Sequence, residues 1–297
     1  MIRSSGDASS LRGRTLLIAA AFFWSLSGVL IKSPTLASLP PTVLGCFRAL
    51  IAAACLFPLV RPAAIRFRPA LIPMVLGFAS MNVLFITAMT QTTAAAAIFL
   101  QYTSTAWAFV FGIVFLQERI ERGNVVALLF ALLGITWIVA ADWHGERFLG
   151  NLIALGSGLS YAVVIVCLRQ LRDESPAWLV ALNHLVSGLV LLPWGITFAT
   201  SLSRPQWGMM AVLGTVQMAL PYVLFARSFR YVTAQEAGLF TLLEPILNPL
   251  WVWIFWGERV EAPTWIGGSL ILMGLLLRST VFRTAPVAAK LASEKTG

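Results

Sequence analysis

Charged residues are scarce in this sequence: they make up 11% of its 297 residues, whereas 59% are hydrophobic. A soluble globular domain carries about 25% charged residues, and a soluble fold would have to expose much of this apolar surface. The shortage excludes an ordinary soluble domain and indicates a chain that is solvated by lipid. At about 20 residues for each span, a chain of this length accommodates about ten membrane-spanning helices.

Histidine and cysteine, which often serve in catalysis and metal binding, are also rare. The two histidines are His144 and His184, and the three cysteines all fall inside apolar segments. Without an HExxH motif or a Cys/His cluster, the sequence predicts no metal, no cofactor and no enzymatic activity. The net charge of +9 comes from basic residues in loops between apolar stretches, which argues against nucleic-acid binding.

Ten apolar segments follow one another, each bounded by proline, glycine or charge, and each is predicted to be a helix across the bilayer. Their approximate limits are 15–32, 41–60, 69–91, 94–117, 123–141, 149–171, 177–200, 206–229, 235–256 and 262–280. The predicted organisation is a cytoplasmic tail (1–14), a first group of five helices (15–141), a second group of five (149–280) and a basic cytoplasmic tail (281–297).

The distribution of lysine and arginine predicts the orientation. With the N-terminus placed in the cytoplasm, sixteen of the 21 basic residues lie in cytoplasmic loops and tails, and four lie on the opposite side. Arg48 is left inside the second span. Because cytoplasmic loops are enriched in basic residues, we expect a multi-pass protein of the bacterial inner membrane with both termini in the cytoplasm.

The two halves of the sequence resemble each other. Glu118 aligns with Glu258 at a spacing of 140, and Lys32 aligns with Arg169 at a spacing of 137. Five helices in each half is an odd number, so the second half must enter the membrane from the opposite side. The predicted fold is therefore an all-α integral membrane protein with ten transmembrane helices, arranged as two inverted five-helix repeats around a central cavity.

Short motifs in both halves resemble a known family. They are W-x7-K at Trp24–Lys32, LQER at 116–119, Y-x7-R at Tyr161–Arg169, WGER at 256–259, the basic residue Arg48 and Glu244-Pro245. On these motifs, residues 15–280 resemble the EamA-type branch of the drug/metabolite transporter superfamily. The resemblance implies ten helices around a central cavity and secondary transport of metabolites. Within the family, the sequence is most similar to bacterial exporters of aromatic and other neutral amino acids, the YddG type.

That resemblance implies that the substrate is an amino acid and that the protein is surrounded by the lipid bilayer. We expect it to be a monomer or a weak dimer. Alternating access through the cavity would carry the substrate out of the cell. A multidrug or cationic-compound exporter is the main alternative, and a nucleotide-sugar-type carrier is another. A nucleotide-sugar carrier would need several cations in the cavity to bind phosphate, and Arg48 supplies only one. A channel is disfavoured because no glycine-rich re-entrant segment is present.

Ionisable residues within the spans are the main candidates for function, because an isolated charge in a bilayer is costly. Glu244 lies near mid-depth beside Pro245, at a predicted helix bend. It is predicted to contact a substrate amine or to couple protonation to transport, and a structural hydrogen bond at the bend is the other interpretation. Arg48 fits either an orienting ion pair or a contact to a substrate carboxylate. His184 is predicted to be a packing residue.

The remaining candidates are polar and aromatic residues in the middle of the spans. The full set predicted to bind substrate is Trp24, Asn82, Gln101, Tyr102, Ser157, Tyr161, Gln217, Tyr222 and Glu244. Ser104 and Thr105, which follow Tyr102 closely, are predicted to pack against neighbouring helices instead. Glu118 and Glu258, each beside an arginine at a helix end, are predicted to form ion pairs at the membrane interface.

Overall fold

The described part of the chain, residues 3–232 and 234–281 of a computed structural model, is helical and contains no strand. It forms ten consecutive helical rods, some of them interrupted. Their bounds are Arg3–Ser25 with Ser27–Ile31 (α1), Pro41–Leu56 (α2), Leu71–Gln91 (α3), Ala94–Tyr102 with Ser104–Leu116 (α4), Arg122–Ala141 (α5), Phe148–Gln170 (α6), Pro176–Ala199 (α7), Arg204–Val212, Leu213–Ala219 and Leu220–Ser228 (α8), Ala234–Thr241 with Leu243–Trp256 (α9), and Ala262–Thr280 (α10).

Each predicted apolar segment overlaps one rod. Among the described residues, nine rods, α1 to α9, are long and apolar enough to cross a membrane, so the chain is a multi-pass membrane protein. The tenth rod, α10, has 19 residues, and Pro263, Thr264 and two glycines lower the hydropathy of its first half. Helix α1 begins at Arg3, inside the predicted tail 1–14. The predicted basic tail 281–297 lies outside the described residues except for Val281.

The apolar segments are helical because every backbone donor and acceptor in a bilayer needs a hydrogen-bond partner, and a helix supplies these partners within the segment. Their outward faces are apolar. On α5, for example, Leu129, Leu133 and Trp137 are exposed in the absence of lipid. These side chains fit a lipid-facing surface.

Helices from the two halves of the chain pack against each other. Helix α1 lies on α8, and α6 lies on α3, so each half places its first helix against the third helix of the other half. Helix α2 pairs with α7, and α5 pairs with α10. Helix α4 contacts α6, as α9 contacts α1.

Four of the rods are interrupted or irregular near their middle. Helix α1 is interrupted at Leu26, α4 at Thr103 and α9 at Leu242, while α8 contains a π-helical segment over Leu213–Ala219. The interruption of α9 has a clear cause, because Pro245 lacks the N–H that would bond the carbonyl of Thr241. Helix interruptions of this kind occur at membrane depth where the freed groups are bonded by protein or face a cavity.

The crossing of α5 and α10 depends on two glycines. A Cβ at Gly134 would collide with the carbonyl oxygen of Gly267, and a Cβ at Gly267 would lie 2.6 Å from the carbonyl oxygen of Gly134. Both obstacles are backbone atoms, which cannot move aside as a side chain can. Small residues at this crossing therefore let the two backbones approach closely.

We expect Gly134→Ala or Gly267→Ala to destabilise the protein by about 1–3 kcal/mol, because the added methyl overpacks this crossing. The measurement is the thermal unfolding of the purified protein in detergent. The matched control is Gly208→Ala in α8, where no atom lies within 4 Å of the added Cβ. Equal melting temperatures for Gly134→Ala and Gly208→Ala would contradict this account of the crossing.

Candidate functional site

A cavity of about 850 Å³ lies at the centre of the bundle. Its described lining residues come from α1 to α4, from α6 to α9 and from the adjoining turns, and none comes from α5 or α10. A volume of this size is at the upper end of the usual range for small-molecule sites. The interruptions in α1, α4 and α9 and the π-helical segment of α8 all border this cavity.

Glu244 lines the cavity just after the interruption of α9. The hydroxyl of Tyr102 on α4 lies 2.9 Å from the Glu244 carboxyl and 2.8 Å from the carbonyl oxygen of Thr241, the group that Pro245 leaves free. A tyrosine hydroxyl has one hydrogen and can donate it to only one of these oxygens. Both contacts are hydrogen bonds at once if a protonated Glu244 donates to Tyr102 while Tyr102 donates to Thr241.

Aromatic rings cover much of the wall near Glu244. Tyr222 on α8 packs edge-to-face against Trp24 on α1, with ring centroids 5.2 Å apart. It also contacts the ring of His184 at 5.4 Å. Tyr161 on α6 lines the cavity too, and both tyrosines lie within charge-interaction range of Glu244. This wall offers broad apolar faces with polar tips, which suits a ligand that is partly apolar.

A second charged group, Arg48 on α2, also lines the cavity. Its Nε and Nη2 donate to the side-chain oxygen of Asn82 on α3, at 3.0 and 2.5 Å. The Asn82 amide nitrogen in turn donates to Ser187 on α7 at 2.8 Å and to the Gly45 carbonyl at 3.2 Å. Three helices thus fix the position of one guanidinium group.

The structure places most of the predicted substrate-binding residues on the cavity wall. Those that line it are Trp24, Gln101, Tyr102, Tyr161, Gln217, Tyr222 and Glu244. Asn82 and Ser157 lie behind the wall instead. Asn82 bonds Arg48, and Ser157 accepts a hydrogen bond from Gln101 at 2.9 Å. Ser104 and Thr105, expected to pack, also line the cavity.

The cavity opens at one end only, as far as the described residues show. Its exposed lining residues Arg172, Arg227 and Arg230 lie where α6 and α8 end. A fourth residue of this rim, Glu174, is buried and bonds Arg68 at 2.9 Å. This end is the mouth of the cavity, and its rim is basic.

The opposite end, where α1 ends and α4 begins, is closed by a hydrogen-bonded cluster that we call the seal. In it Lys32 forms an ion pair with Glu258 and donates to the Thr92 carbonyl at 3.0 Å. The other oxygen of Glu258 accepts from the backbone N–H of Ala94 at 2.7 Å, at the start of α4. A carboxylate is well placed there, because the N-terminus of a helix carries partial positive charge.

A second ion pair joins Arg169 at the end of α6 to Glu118 after α4, with 2.6 Å between nitrogen and oxygen. Both glutamates therefore pair, as expected, but with Lys32 and Arg169 from distant helices and not with the neighbouring Arg119 and Arg259. The described residues contain no cluster of three or more His, Cys, Asp or Glu side chains that could hold a metal ion.

Comparison with protein families identifies two matching regions. Residues 11–140 and 148–280 each match the family model described as the EamA-like transporter family. Together these regions cover most of the chain.

Individual relatives also match over long regions. An uncharacterized transporter of Archaeoglobus fulgidus is 31% identical over 207 residues, which cover 68% of this chain and 74% of the relative. The pseudopaline exporter CntI of Pseudomonas aeruginosa is 27% identical over 274 residues, covering 90% and 95%. The uncharacterized transporter YwfM of Bacillus subtilis is 26% identical, covering 92% and 95%. One crystal structure superposes with a TM-score of 0.66 at 17% identity, covering 94% of this chain and 99% of the other, which shows a shared fold.

We expect the seal to control access to the cavity. A cysteine at Thr105, in a background without Cys46, Cys55 and Cys167, should react with an impermeant maleimide only from the face that carries the mouth. Adding Lys32→Met should make it reactive from both faces, because the seal loses its ion pair. The increase in labelling rate is about tenfold for each 1.4 kcal/mol of seal stability lost.

The matched control for this experiment is Arg204→Met. Arg204 begins α8, is exposed and forms no ion pair within the described residues. This control should leave the closed face unreactive. Lys32→Arg keeps the charge and the donors, so it should keep the face closed, whereas a closed face in Lys32→Met would contradict the role of the ion pair.

Proposed function

Because this chain belongs to the EamA-like transporter family, we propose that it is a secondary transporter that exports aromatic and other neutral amino acids by alternating access. Membership of the family makes it a membrane transport protein and not an enzyme. Its substrate, its direction and its mechanism are the content of the proposal. The relative described as a pseudopaline exporter supports outward transport of a small molecule.

The observation that carries the proposal is the cavity itself. It is open at the mouth, closed at the seal and lined by Glu244, Arg48 and an aromatic wall. A carboxyl, a guanidinium and aromatic rings in one cavity match the ammonium, carboxylate and side chain of an amino acid. A purely cationic drug would use Glu244 and the aromatic wall, but would leave Arg48 without an anion.

We also propose that the fold consists of ten transmembrane helices in two inverted repeats, residues 15–141 and 149–280. Corresponding helices run in opposite directions: α1 ends at the seal, whereas α6 ends at the mouth. Helix α1 of the first half packs on α8 of the second half, and its counterpart α6 packs on α3 of the first half, so the two contacts are equivalent. The pairs Lys32–Glu258 and Arg169–Glu118 are related in the same way. Inverted repeats place the substrate site between the halves and favour alternating access.

The basic rim of the mouth supports an orientation in which the mouth faces the cytoplasm of a bacterium and the seal faces the periplasm. The described state would then be open to the side from which an exporter takes its substrate. The labelling experiment on Thr105 tests this orientation as well. In intact spheroplasts the cysteine should stay unlabelled, and it should become labelled when Lys32→Met is added.

We assign the coupling role to Glu244. If it is protonated, Tyr102 can bond the free carbonyl of Thr241; if it is ionised, it competes with that carbonyl for the same hydroxyl hydrogen. Loss or gain of a proton therefore changes a contact between α4 and the interruption of α9. A substrate ammonium would displace the proton and so link binding to this contact. The groups facing Glu244 are Tyr102, Tyr161 and Tyr222.

We expect purified protein in proteoliposomes to catalyse saturable counterflow of labelled phenylalanine. Unlabelled tryptophan, tyrosine and leucine should compete, because the wall accepts an apolar side chain while the two charged groups accept the common backbone. Cationic dyes and nucleotide sugars serve as the rival substrates. Saturable counterflow of a dye, with no counterflow of any amino acid, would replace the amino-acid proposal by the multidrug one.

We expect the affinity of the wild type for phenylalanine to fall as the pH falls, because a proton and the substrate ammonium compete for the Glu244 carboxylate. The limiting slope is about tenfold per pH unit. Glu244→Gln cannot titrate, so its affinity should be lower and independent of pH. Glu261→Gln, which changes an exposed acid outside the cavity, is the control and should keep the wild-type slope. Identical pH profiles for wild type and Glu244→Gln would make Glu244 a structural residue of the helix bend.

A further inference from the structure

We propose that Arg48 binds the carboxylate of the transported substrate, so that the cavity selects zwitterions that carry both a carboxylate and an ammonium group. The sequence left two interpretations of Arg48, an orienting ion pair or a contact to a substrate carboxylate. The assignment chooses the second and deepens the amino-acid proposal on which it rests. Three observations support it: the burial of an unpaired charge, the donors left free by the network around it, and an unpartnered polar atom on the same cavity wall.

The first observation is the charge of Arg48. Its side chain is 2% exposed, in the membrane-spanning helix α2. No acidic group of the described chain pairs with it, and its hydrogen-bond partner is the neutral Asn82. A buried cation without a counter-charge is costly in a membrane protein. An anionic group that enters the cavity would offset this cost.

The second observation concerns the donors of the guanidinium. Five N–H groups are available, and Nε and Nη2 both point at the one oxygen of Asn82. The Nη1 group makes no hydrogen bond within the described residues. Asn82 has no freedom to rotate away, because its amide nitrogen is held by Ser187 and Gly45. Asn82 is therefore a positioning residue that leaves Nη1 for a ligand.

The third observation is an unsatisfied polar atom on the same cavity wall. Gln217 lines the cavity with Arg48 and is buried, and its side-chain oxygen has no partner within the described residues, although its nitrogen donates to the Trp24 carbonyl at 3.3 Å. Buried polar groups are nearly always bonded in native proteins, so this oxygen is available to accept a hydrogen bond from a ligand. His184, whose ring nitrogens also lack partners, is fully buried against Tyr222 and does not line the cavity.

The charges also define the class of ligand. Arg48 and Glu244 line the same cavity, yet they do not pair with each other; Glu244 bonds Tyr102 and Arg48 bonds Asn82. Tyr222 lies within charge-interaction range of both. One separated positive and one separated negative group match a ligand that carries one charge of each sign. A phosphate group would require further cations, which the inner part of this cavity lacks among its described lining residues.

The test compares three ligands that differ by one charged group: phenylalanine, phenylalaninol without the carboxylate, and 3-phenylpropionate without the ammonium. Dissociation constants are measured on the purified full-length protein, with counterflow inhibition as a second readout. The wild type should bind phenylalanine about 10–100-fold more tightly than phenylalaninol, the usual effect of one charge-assisted contact. This comparison requires no variant.

Arg48→Gln should weaken phenylalanine binding about 10–100-fold and change phenylalaninol binding by less than about threefold. Arg48→Lys keeps the charge without the fork of donors, so it should fall between Arg48→Gln and the wild type and serves if Arg48→Gln does not fold. Glu244→Gln should show the reverse selectivity, weakening phenylalanine but not 3-phenylpropionate. Arg172→Gln, a change to another lining arginine at the mouth, should leave the ratio of phenylalanine to phenylalaninol affinity unchanged.

Two results would overturn the assignment. One is equal affinity of the wild type for phenylalanine and phenylalaninol, and the other is an equal loss of both ligands in Arg48→Gln and Arg48→Lys. Either result, together with normal phenylalanine transport by the wild type, removes the role of Arg48 and leaves the proposed function standing. Absence of phenylalanine binding and transport in the wild type would instead refute the amino-acid function, and the role of Arg48 with it.

Discussion

Inside a bilayer, a polar group that leaves its own helix must be bonded by a neighbouring helix, and the centre of this protein is organised by that constraint. The Thr241 carbonyl, freed by Pro245, meets the hydroxyl of Tyr102. Asn248, one turn further along α9, donates to Ser27 at the interruption of α1. The interruptions that make room for a cavity are thus joined to each other by side chains. A change in one interrupted helix must change the hydrogen bonding of its neighbour.

The same constraint explains why the charged groups form separate clusters. Lys32 and Glu258 close one end of the cavity, and Arg169 and Glu118 pair near the other end. Each ion pair joins the end of a helix from one half of the chain to a glutamate in a loop of the other half. Between these clusters, Arg48 and Glu244 have neutral partners only, Asn82 and Tyr102. These paired charges lie at the ends of the bundle, whereas Arg48 and Glu244 face the cavity, where a ligand can reach them.

The sequence predicted the positions of the helices well, because apolar length and the placement of proline and charge are local properties. It also identified Glu244, Tyr102 and Trp24 as residues of the cavity wall. It could not determine which side of a helix faces the cavity, because that depends on the rotation of the helix against its neighbours. For this reason Asn82 and Ser157, expected at the wall, lie behind it, and Ser104 and Thr105, expected to pack, line it.

Interruptions and ion-pair partners were harder still to predict. Only the interruption of α9 follows a local signal, Pro245; those at Leu26 and Thr103 have no proline or glycine at the interrupted residue. Arg119 and Arg259 are next to the two glutamates in sequence, but Lys32 and Arg169 reach them in space. The repeat alignment did contain this information, since it matched Lys32 with Arg169 and Glu118 with Glu258. Equivalence in an internal repeat was here a better guide to partners than proximity along the chain.

Under the proposed inverted repeat, the asymmetry between the halves has a physical consequence. If the halves were identical, the states open to either face would have equal free energy, and nothing in the protein would favour one of them. The two ends differ, however, because a lysine pairs at the seal and an arginine at the other end. Arginine has more donors and is more weakly hydrated than lysine, so the two pairs are not equivalent in stability. Both pairs are nevertheless formed in the described state, which is open at the mouth, so their difference alone does not decide which face opens. In the proposed mechanism that decision falls to Glu244, whose repeat partner is the neutral Ser104 and whose contacts a proton or an ammonium group would change.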